Sequence, residues 1–444
     1  MLTGWPLLIL ILLSVLAIVF ATSRLKLHPF LALILASLGV GLGTGMSPAD
    51  LMAVMNQGFG SLMSYIGVVV VLGSIIGVML ERSGATHRLA EFILRITGPK
   101  RPILGLTLIG ALIGIPVFCD SGFVILSRLN QGLAQRTGVS QASLTLGLAG
   151  GLYTTHTLVP PTPGPIAAAG TLGLADQLGY LILLGLLVTI PVGWVVLKMA
   201  QWRGAKLEPA LTELEEASSK ENLPKLGLSI LPILLPLLLI TLGTCGQLLG
   251  WEGTVGDLIA FLGNPVLALL IGTAATLLLL PSWSEGEAWV KAGILAAGPI
   301  LILTGAGGIF GAVLKATPVK EVMESWLSSG DFAQAGFLMV AWLIAAFLKS
   351  AQGSSTSALI ITASMLAPLT AGAGLESPYG LALLTLSIGG GAMTVSHAND
   401  SFFWVVSQFG ELPMKQAYQS YTLMTLTQGL MVLAMVLLLS LGLG

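Results

Sequence analysis

Long apolar runs separated by short polar connectors dominate the chain. A helix needs about 20 mostly apolar residues to cross ~30 Å of hydrocarbon. Such runs stand at 5–21, 30–44, 62–80, 180–197, 226–249, 265–280, 293–314 and 421–443, and each is expected to form a membrane-spanning helix. Between them lie apolar stretches interrupted by Gly, Pro, Ser and Thr, at 103–135, 141–175, 335–370 and 379–409. The first run lacks a basic segment ahead of it, since the first positive charge is Arg24, so it reads as a signal anchor rather than a cleaved signal peptide.

Composition narrows the class further. Of 444 residues, 55% are hydrophobic and only 9% charged, where a soluble domain carries roughly 25% charged residues. Mean hydropathy is +0.93. These values exclude a soluble globular domain and a disordered chain. A net charge of −1 without a basic cluster argues against a nucleic-acid partner. Cys119 and Cys245 lie far apart in apolar stretches and give neither a disulfide framework nor a metal site. No P-loop, H-E-x-x-H or G-x-S-x-G motif occurs, so no enzyme and no cofactor is expected.

Charge placement sets an expected orientation. With the N-terminus outside and 103–135 and 335–370 counted as re-entrant hairpins, all but three of the 19 Lys and Arg fall on the cytoplasmic side. The exceptions are Lys315, Lys320 and Lys349. The polar segment 201–225 reads as a linker between two halves that resemble each other at an offset of about 234 residues. Segment 73–92 overlays 307–326, matching Gly73 with Gly307 and Gly77 with Gly311, and 150–161 overlays 391–402, matching His156 with His397. In the assumed topology the two halves run in opposite directions. The expected fold is therefore an all-α polytopic membrane protein of two inverted-topology repeats, with re-entrant hairpins and interrupted transmembrane helices, an architecture of secondary transporters. The expected divisions are N-terminal helices over 1–60, a first transport repeat over 61–200, the linker 201–225, connecting helices over 226–292 and a second transport repeat over 293–444.

Four polar breaks carry the candidate chemistry, because irregular backbone at membrane depth survives only inside protein or beside water. The first, 116–122, contains Asp120, with Gly122 to permit a turn and Ser121 to cap the returning half-helix. Asp120 is read as functional, with a helix cap as the plain alternative. The second, 154–165, holds Thr155, His156, Thr162 and Gly164 among four prolines within six residues, which no continuous helix accommodates. The third is Gln352, Gly353, Ser354, Ser355 and Thr356, a hydroxyl-rich tip opening a half-helix whose free N–H groups favour a carboxylate; the alternative is a Ser/Thr-rich packing face. Lys349 just before it either neutralises a substrate or snorkels to the surface. The fourth places Ser396, His397, Asn399 and Asp400 together. If helical there, His397 and Asp400 would share a face and could move a proton, or form a buried satisfied pair. Gly73, Gly77, Gly307 and Gly311 read as close helix-packing positions.

At these breaks the chain resembles the gluconate permease (GntP) family of bacterial secondary transporters, within the ion-transporter superfamily. The resemblance is carried by PVFCDSGFVIL (116–126), THTLVPPTPGPIAAAG (155–170), AQGSSTSALI (351–360) and SHANDSFFWVV (396–406). It implies a proton symporter of the bacterial inner membrane for gluconate or a related small hydroxylated carboxylate, dimeric and moving by an elevator motion. Two positions depart from gluconate-type members: the acid of the first break is Asp120, one methylene shorter, and Thr162 stands where a His is usual. Ser121, Gly122, Thr155, His156, Thr162, Gly164, Gln352, Gly353, Ser354, Ser355, Thr356 and Asn399 are the expected substrate contacts, and Asp120, His156, His397 and Asp400 the expected proton carriers.

Overall fold

The computed structural model describes residues 2–98, 100–207, 223–318, 333–398 and 400–443. Its first part comprises α1 (Gly4–Ser23), α2 (Pro29–Gly43), α3 (Pro48–Ser83), α4 (Ala85–Thr97), α5 (Pro102–Ile113), α6 (Cys119–Thr137), α7 (Gln141–Leu158), α8 (Pro163–Thr171) and α9 (Leu178–Met199). Next come α10 (Leu226–Leu248), α11 (Gly253–Leu262) and α12 (Pro265–Thr276). The last part comprises α13 (Trp283–Lys315), α14 (Ala333–Gln352), α15 (Ser355–Leu366), α16 (Pro378–Met393) and α17 (Ser401–Phe409). The closing helix begins as α18 (Met414–Ala417), widens into a π-turn over Tyr418–Thr422 and continues as α19 (Leu423–Ser440).

Local chemistry explains many of these boundaries. Pro29, Pro48, Pro102, Pro163, Pro265 and Pro378 open their helices, where a missing N–H costs nothing. Ser47, Asn264, Ser282 and Ser377 cap first turns by accepting a backbone N–H. Among the described residues five helices are long and apolar enough to cross a bilayer alone, or up to seven if each of two bent pairs counts as one span. One bent pair is α3 itself, turning by 45° between Ser64 and Gly67; the other joins α11 to α12 at 64°. Large apolar side chains such as Leu12, Ile190, Leu238 and Leu295 lie exposed on the outside, which suits a surface facing lipid.

The element order of the first part recurs in the last. Helix α3 corresponds to α13, the hairpin α5–α6 to α14–α15, the interrupted pair α7–α8 to α16–α17, and α9 to the closing helix. Glycines reveal the relative direction. A Cβ on Gly58 would lie 2.5 Å from the Gly308 carbonyl oxygen, one on Gly305 would meet the Phe59 ring at 2.2 Å, and one on Gly293 would meet Ile75 at 2.7 Å. Rising numbers in α3 thus meet falling numbers in α13, so these corresponding helices pack antiparallel, as inverted repeats require. Within each half the packing repeats: Gly151 of α7 sits on Thr107 of α5, and Gly391 of α16 sits on Trp342 of α14.

Several expectations need adjusting. Helices α3 and α13 run across residues 60/61 and 292/293, where the sequence suggested divisions. Helix α11 was not expected, because its ten residues are too few to register as a span. Gly73 and Gly77 do not pack helix on helix; they let α3 approach the Pro161 and Pro116 carbonyls of the first two breaks, at 2.7 and 2.4 Å from where a Cβ would stand. Gly307 and Gly311 do pack helix on helix, against Ser364 of α15. Lys320 and most of the 201–225 linker lie outside the described residues.

Candidate functional site

All four breaks form, and each starts a half-helix inside the protein. The first turn of any helix leaves N–H groups without an intrahelical acceptor, so α6, α8, α15 and α17 each point such donors, and the positive end of a helix dipole, inward. They meet in two pairs. Gly164 in the first turn of α8 faces Thr356 in the first turn of α15, its would-be Cβ 3.6 Å from the Thr356 hydroxyl. At the start of α6, Phe123 packs edge-on against Phe402 of α17 at 6.0 Å. Since α6 corresponds to α15 and α8 to α17, the two pairings are one arrangement generated twice by the internal repeat.

The donors differ in number. Helix α8 begins Pro163-Gly164-Pro165, so Gly164 is the sole N–H of those three residues. At α15 the Ser354 hydroxyl already accepts from Ser357 N–H at 3.2 Å, which leaves the Ser355 and Thr356 N–H groups of the first turn without an intrahelical acceptor. Gly353, at φ +80°, makes the turn that lets α15 start there. The Ser355 hydroxyl contacts the Tyr153 hydroxyl of α7 at 3.2 Å. Thr162 is fully buried and donates to the Val159 carbonyl at 2.7 Å, closing its own loop.

Charge concentrates at the other pair. The Lys349 side chain, 0% exposed, makes an ion pair with Asp400 at 2.5 Å. Its ammonium also donates to the Gly353 carbonyl at 2.9 Å and lies 5.5 Å from the centre of the Tyr153 ring. Of the two roles open to Lys349, snorkelling is therefore overturned: the side chain points inward. Asp400 caps α17, accepting Phe402 N–H at 3.2 Å, and receives the Ser396 hydroxyl on Oδ2. Asp120 lies within electrostatic reach of both Lys349 and Asp400, and its Oδ1 is buried with no hydrogen-bond partner among the described residues. His156 is buried nearby, its ring 5.9 Å from Phe118 and its Nδ1 likewise without a partner; the Thr155 hydroxyl shares that condition.

Three predicted residues sit differently from expectation. The helix cap is Phe118, and Ser121 lies inside the first turn, facing Glu81 of α3. Gly122 makes no turn: its N–H bonds Phe118 O at 2.9 Å and its bare Cα lets Leu152 of α7 approach, so it serves packing. His397 and Asp400 do not share a helical face, because neither 394–398 nor Asp400 is helical. The His397 Nε2 meets the Ser350 carbonyl at 3.1 Å while Asp400 takes Lys349. Gln352 stands at the hairpin tip as expected, half-buried. Asn399 falls outside the described residues.

The fourth break needs partners for its backbone, and the closing helix supplies them. Thr425 accepts Ser396 N–H at 3.0 Å, Thr422 donates to Ser396 O at 2.6 Å, and the Tyr418 hydroxyl accepts Ala398 N–H at 3.4 Å. Tyr418 and Thr422 bound the π-turn, a distortion frequent at functional sites. None of Tyr153, Tyr418, Thr422 or Thr425 was singled out in the sequence; the short hydroxyl series within an apolar run was the available signal. Among the described residues no group of three or more His, Cys, Asp or Glu could hold a metal ion.

Comparison with known proteins gives this geometry a family. The sequence model described as GntP family permease matches residues 5–442. The chain belongs to the GntP permease family. It is 31% identical to the gluconate permease of Pseudomonas aeruginosa over 445 residues, covering 97% of this chain and 96% of that one. To the D-serine transporter DsdX of Escherichia coli K12 it is 30% identical over 440 residues, covering 97% of each. Among solved structures, the YdaH transporter of Alcanivorax borkumensis superposes with a TM-score of 0.65 at 16% identity, covering 89% of this chain and 88% of that one, a likeness of fold. This GntP-family protein is a multi-pass membrane transporter and not an enzyme.

Proposed function

We propose that this GntP-family permease is a proton-coupled symporter that imports a small hydroxylated monocarboxylate, gluconate or a close chemical relative, across the bacterial inner membrane by alternating access. The observation that carries the reading is the facing pair of half-helix starts at Gly164 and Thr356, set beside a buried cluster of Asp120, His156, Lys349 and Asp400. N–H groups of Gly164, Ser355 and Thr356 suit a carboxylate. Buried polar atoms without partners on Thr155 and His156 suit the hydroxyls that follow it, since a buried donor or acceptor gains most when a ligand satisfies it. The relatives' printed substrates, gluconate and D-serine, share a carboxylate with a hydroxyl close by.

For the coupled proton, Asp120 and His156 are favoured over His397 and Asp400, because the latter two already engage Ser350 and Lys349. The N-terminus faces outside in this reading, and the paired breaks move together as an elevator within a dimer. Uptake of labelled gluconate, glycerate, lactate and D-serine into proteoliposomes, with and without an imposed proton gradient, tests it. Concentrative uptake that follows the proton gradient and survives replacement of sodium by choline is expected. Accumulation that ignores the proton gradient sinks the coupling claim, and non-saturable flux without accumulation would instead make the protein a passive channel.

A further inference from the structure

The Lys349 ammonium is seated where a small metal cation could sit. Among its contacts are two oxygens at breaks of the second half: Oδ2 of Asp400 at 2.5 Å and the Gly353 carbonyl at 2.9 Å. Carbonyls of unwound backbone hold sodium in transporters built from interrupted helices, and a carboxylate oxygen is a ligand of the same hard kind. The surrounding dipoles agree. Lys349 lies in the last turn of α14, whose negative end favours a cation, and Asp400 caps the positive end of α17.

The corresponding corner of the first half lacks these charges. There α5 ends at Ile113 and Gly114, and the cap of α8 is Thr162 instead of an aspartate. Among the described residues, hairpin and interrupted helix form at that corner without an ion pair, so the architecture itself does not demand one. A buried ion pair is also a weak source of stability, since desolvation offsets its attraction. The charge pair calls for a reason specific to this site.

We propose that Lys349 is a tethered cation occupying a monovalent-cation site formed by Asp400 and Gly353, and that this resident charge makes transport independent of sodium. The proposal deepens the transport reading and depends on it only for that last consequence. Removing the side chain beyond Cβ leaves the carboxylate and the carbonyl facing a vacancy that a mobile cation fills.

Thermal melting of purified protein in detergent reads this without substrate, so a wrong substrate or a wrong proton carrier leaves the test intact. Wild type is expected to melt at one temperature in sodium, lithium, ammonium or choline chloride at fixed pH and ionic strength. Lys349→Ala is expected to melt several degrees higher in sodium, lithium or ammonium than in choline, because a ligand that binds only the folded state stabilises it. Lys349→Ala/Asp400→Asn, with no charge to compensate, loses that response. In proteoliposomes, any uptake retained by Lys349→Ala requires sodium or ammonium. A folded Lys349→Ala indifferent to all these cations overturns the proposal, as does a wild type stabilised by sodium. Should Lys349→Ala fail to yield monodisperse protein in every one of these salts while the double variant yields it, the proposal also falls, because the added cation has not replaced the ammonium.

Discussion

Gly151→Ala probes the contact that holds each hairpin to its interrupted helix. The added Cβ would stand 2.2 Å from the Thr107 carbonyl oxygen and 2.9 Å from the Ala111 nitrogen, both backbone atoms of α5, where ordinary contact begins at 3.4 Å. No side-chain rotation relieves a clash with backbone, so α5 and α7 must part by roughly 1 Å. Overpacking of this kind costs about 1–3 kcal/mol. Gly391→Ala meets the Trp342 carbonyl oxygen at the same 2.2 Å, with Ala346 nitrogen at 3.0 Å, and should cost the same on the other side of the repeat. Gly39→Ala and Gly193→Ala are the controls: nothing lies within 4 Å of either added methyl. Their greater helix propensity should leave stability unchanged or raise it by up to ~1 kcal/mol. Thermal melting of the four purified variants in one detergent measures the order. Because α5 leads to the Asp120 break and α7 carries His156, uptake well below the melting temperature should also fall in the two clashing variants and persist in the controls. A Gly151→Ala protein melting at or above wild type would refute the assigned helix contact.

Lys349→Met and Asp400→Asn should each destabilise by about 3–5 kcal/mol, since each leaves a buried charge uncompensated, and the double variant should recover most of the loss. A melting series in which the losses simply add would show that the 2.5 Å pair is not coupled. Asp120→Asn should abolish proton-driven accumulation while substrate exchange continues; wild-type accumulation removes Asp120 from the coupling step. Tyr153→Phe, which loses only the contact to the Ser355 hydroxyl, should cost about 0.5–1.5 kcal/mol. Tyr153→Ala should cost about 3–5 kcal/mol by opening a cavity beside Phe402. Thr425→Val leaves Ser396 N–H unbonded and should speed amide exchange over 394–398; unchanged exchange there would discount that support from the closing helix.

The breaks were legible in the sequence because lipid tolerates so little irregular backbone. Clustered prolines at 160–165 and a Gln-Gly-Ser-Ser tip at 352–355 inside apolar stretches have few other readings. The repeat was legible for a related reason: Gly73 and Gly307 match, each bringing a long helix against a break or its half-helix. Pairings across the fold were not legible. The sequence offered His397 as the partner of Asp400, and only the folding of α14 against the fourth break brings Lys349 to it. Nor did it distinguish a glycine that turns the chain from one that merely admits a neighbour, so Gly122 was assigned the wrong task. The π-turn at Tyr418–Thr422 lies in a hydroxyl-rich segment, YQSYT, whose composition does not distinguish a π-turn from an ordinary helical turn. Its cause is tertiary, the need of Ser396 and Ala398 for hydrogen bonds.

The two halves supply the same frame, yet ionisable groups are distributed unevenly within it, and that unevenness bears on coupling. Lys349 cancels Asp400, so in their ionised forms Asp120 leaves the cluster with one surplus negative charge. A substrate carboxylate entering at Gly164 and Thr356 would add another. At an effective dielectric constant of about 20, two like charges roughly 6 Å apart repel by about 3 kcal/mol, a hundredfold or more in affinity. A proton taken up on Asp120 removes that repulsion and leaves the loaded site with the same net charge as the empty one. On the proposed mechanism, Asp120, the acid of the cluster that Lys349 does not cancel, is what obliges carboxylate and proton to travel together. Coupling then resides in the charge count of the site, and the repeated frame supplies the two faces between which that site is exchanged.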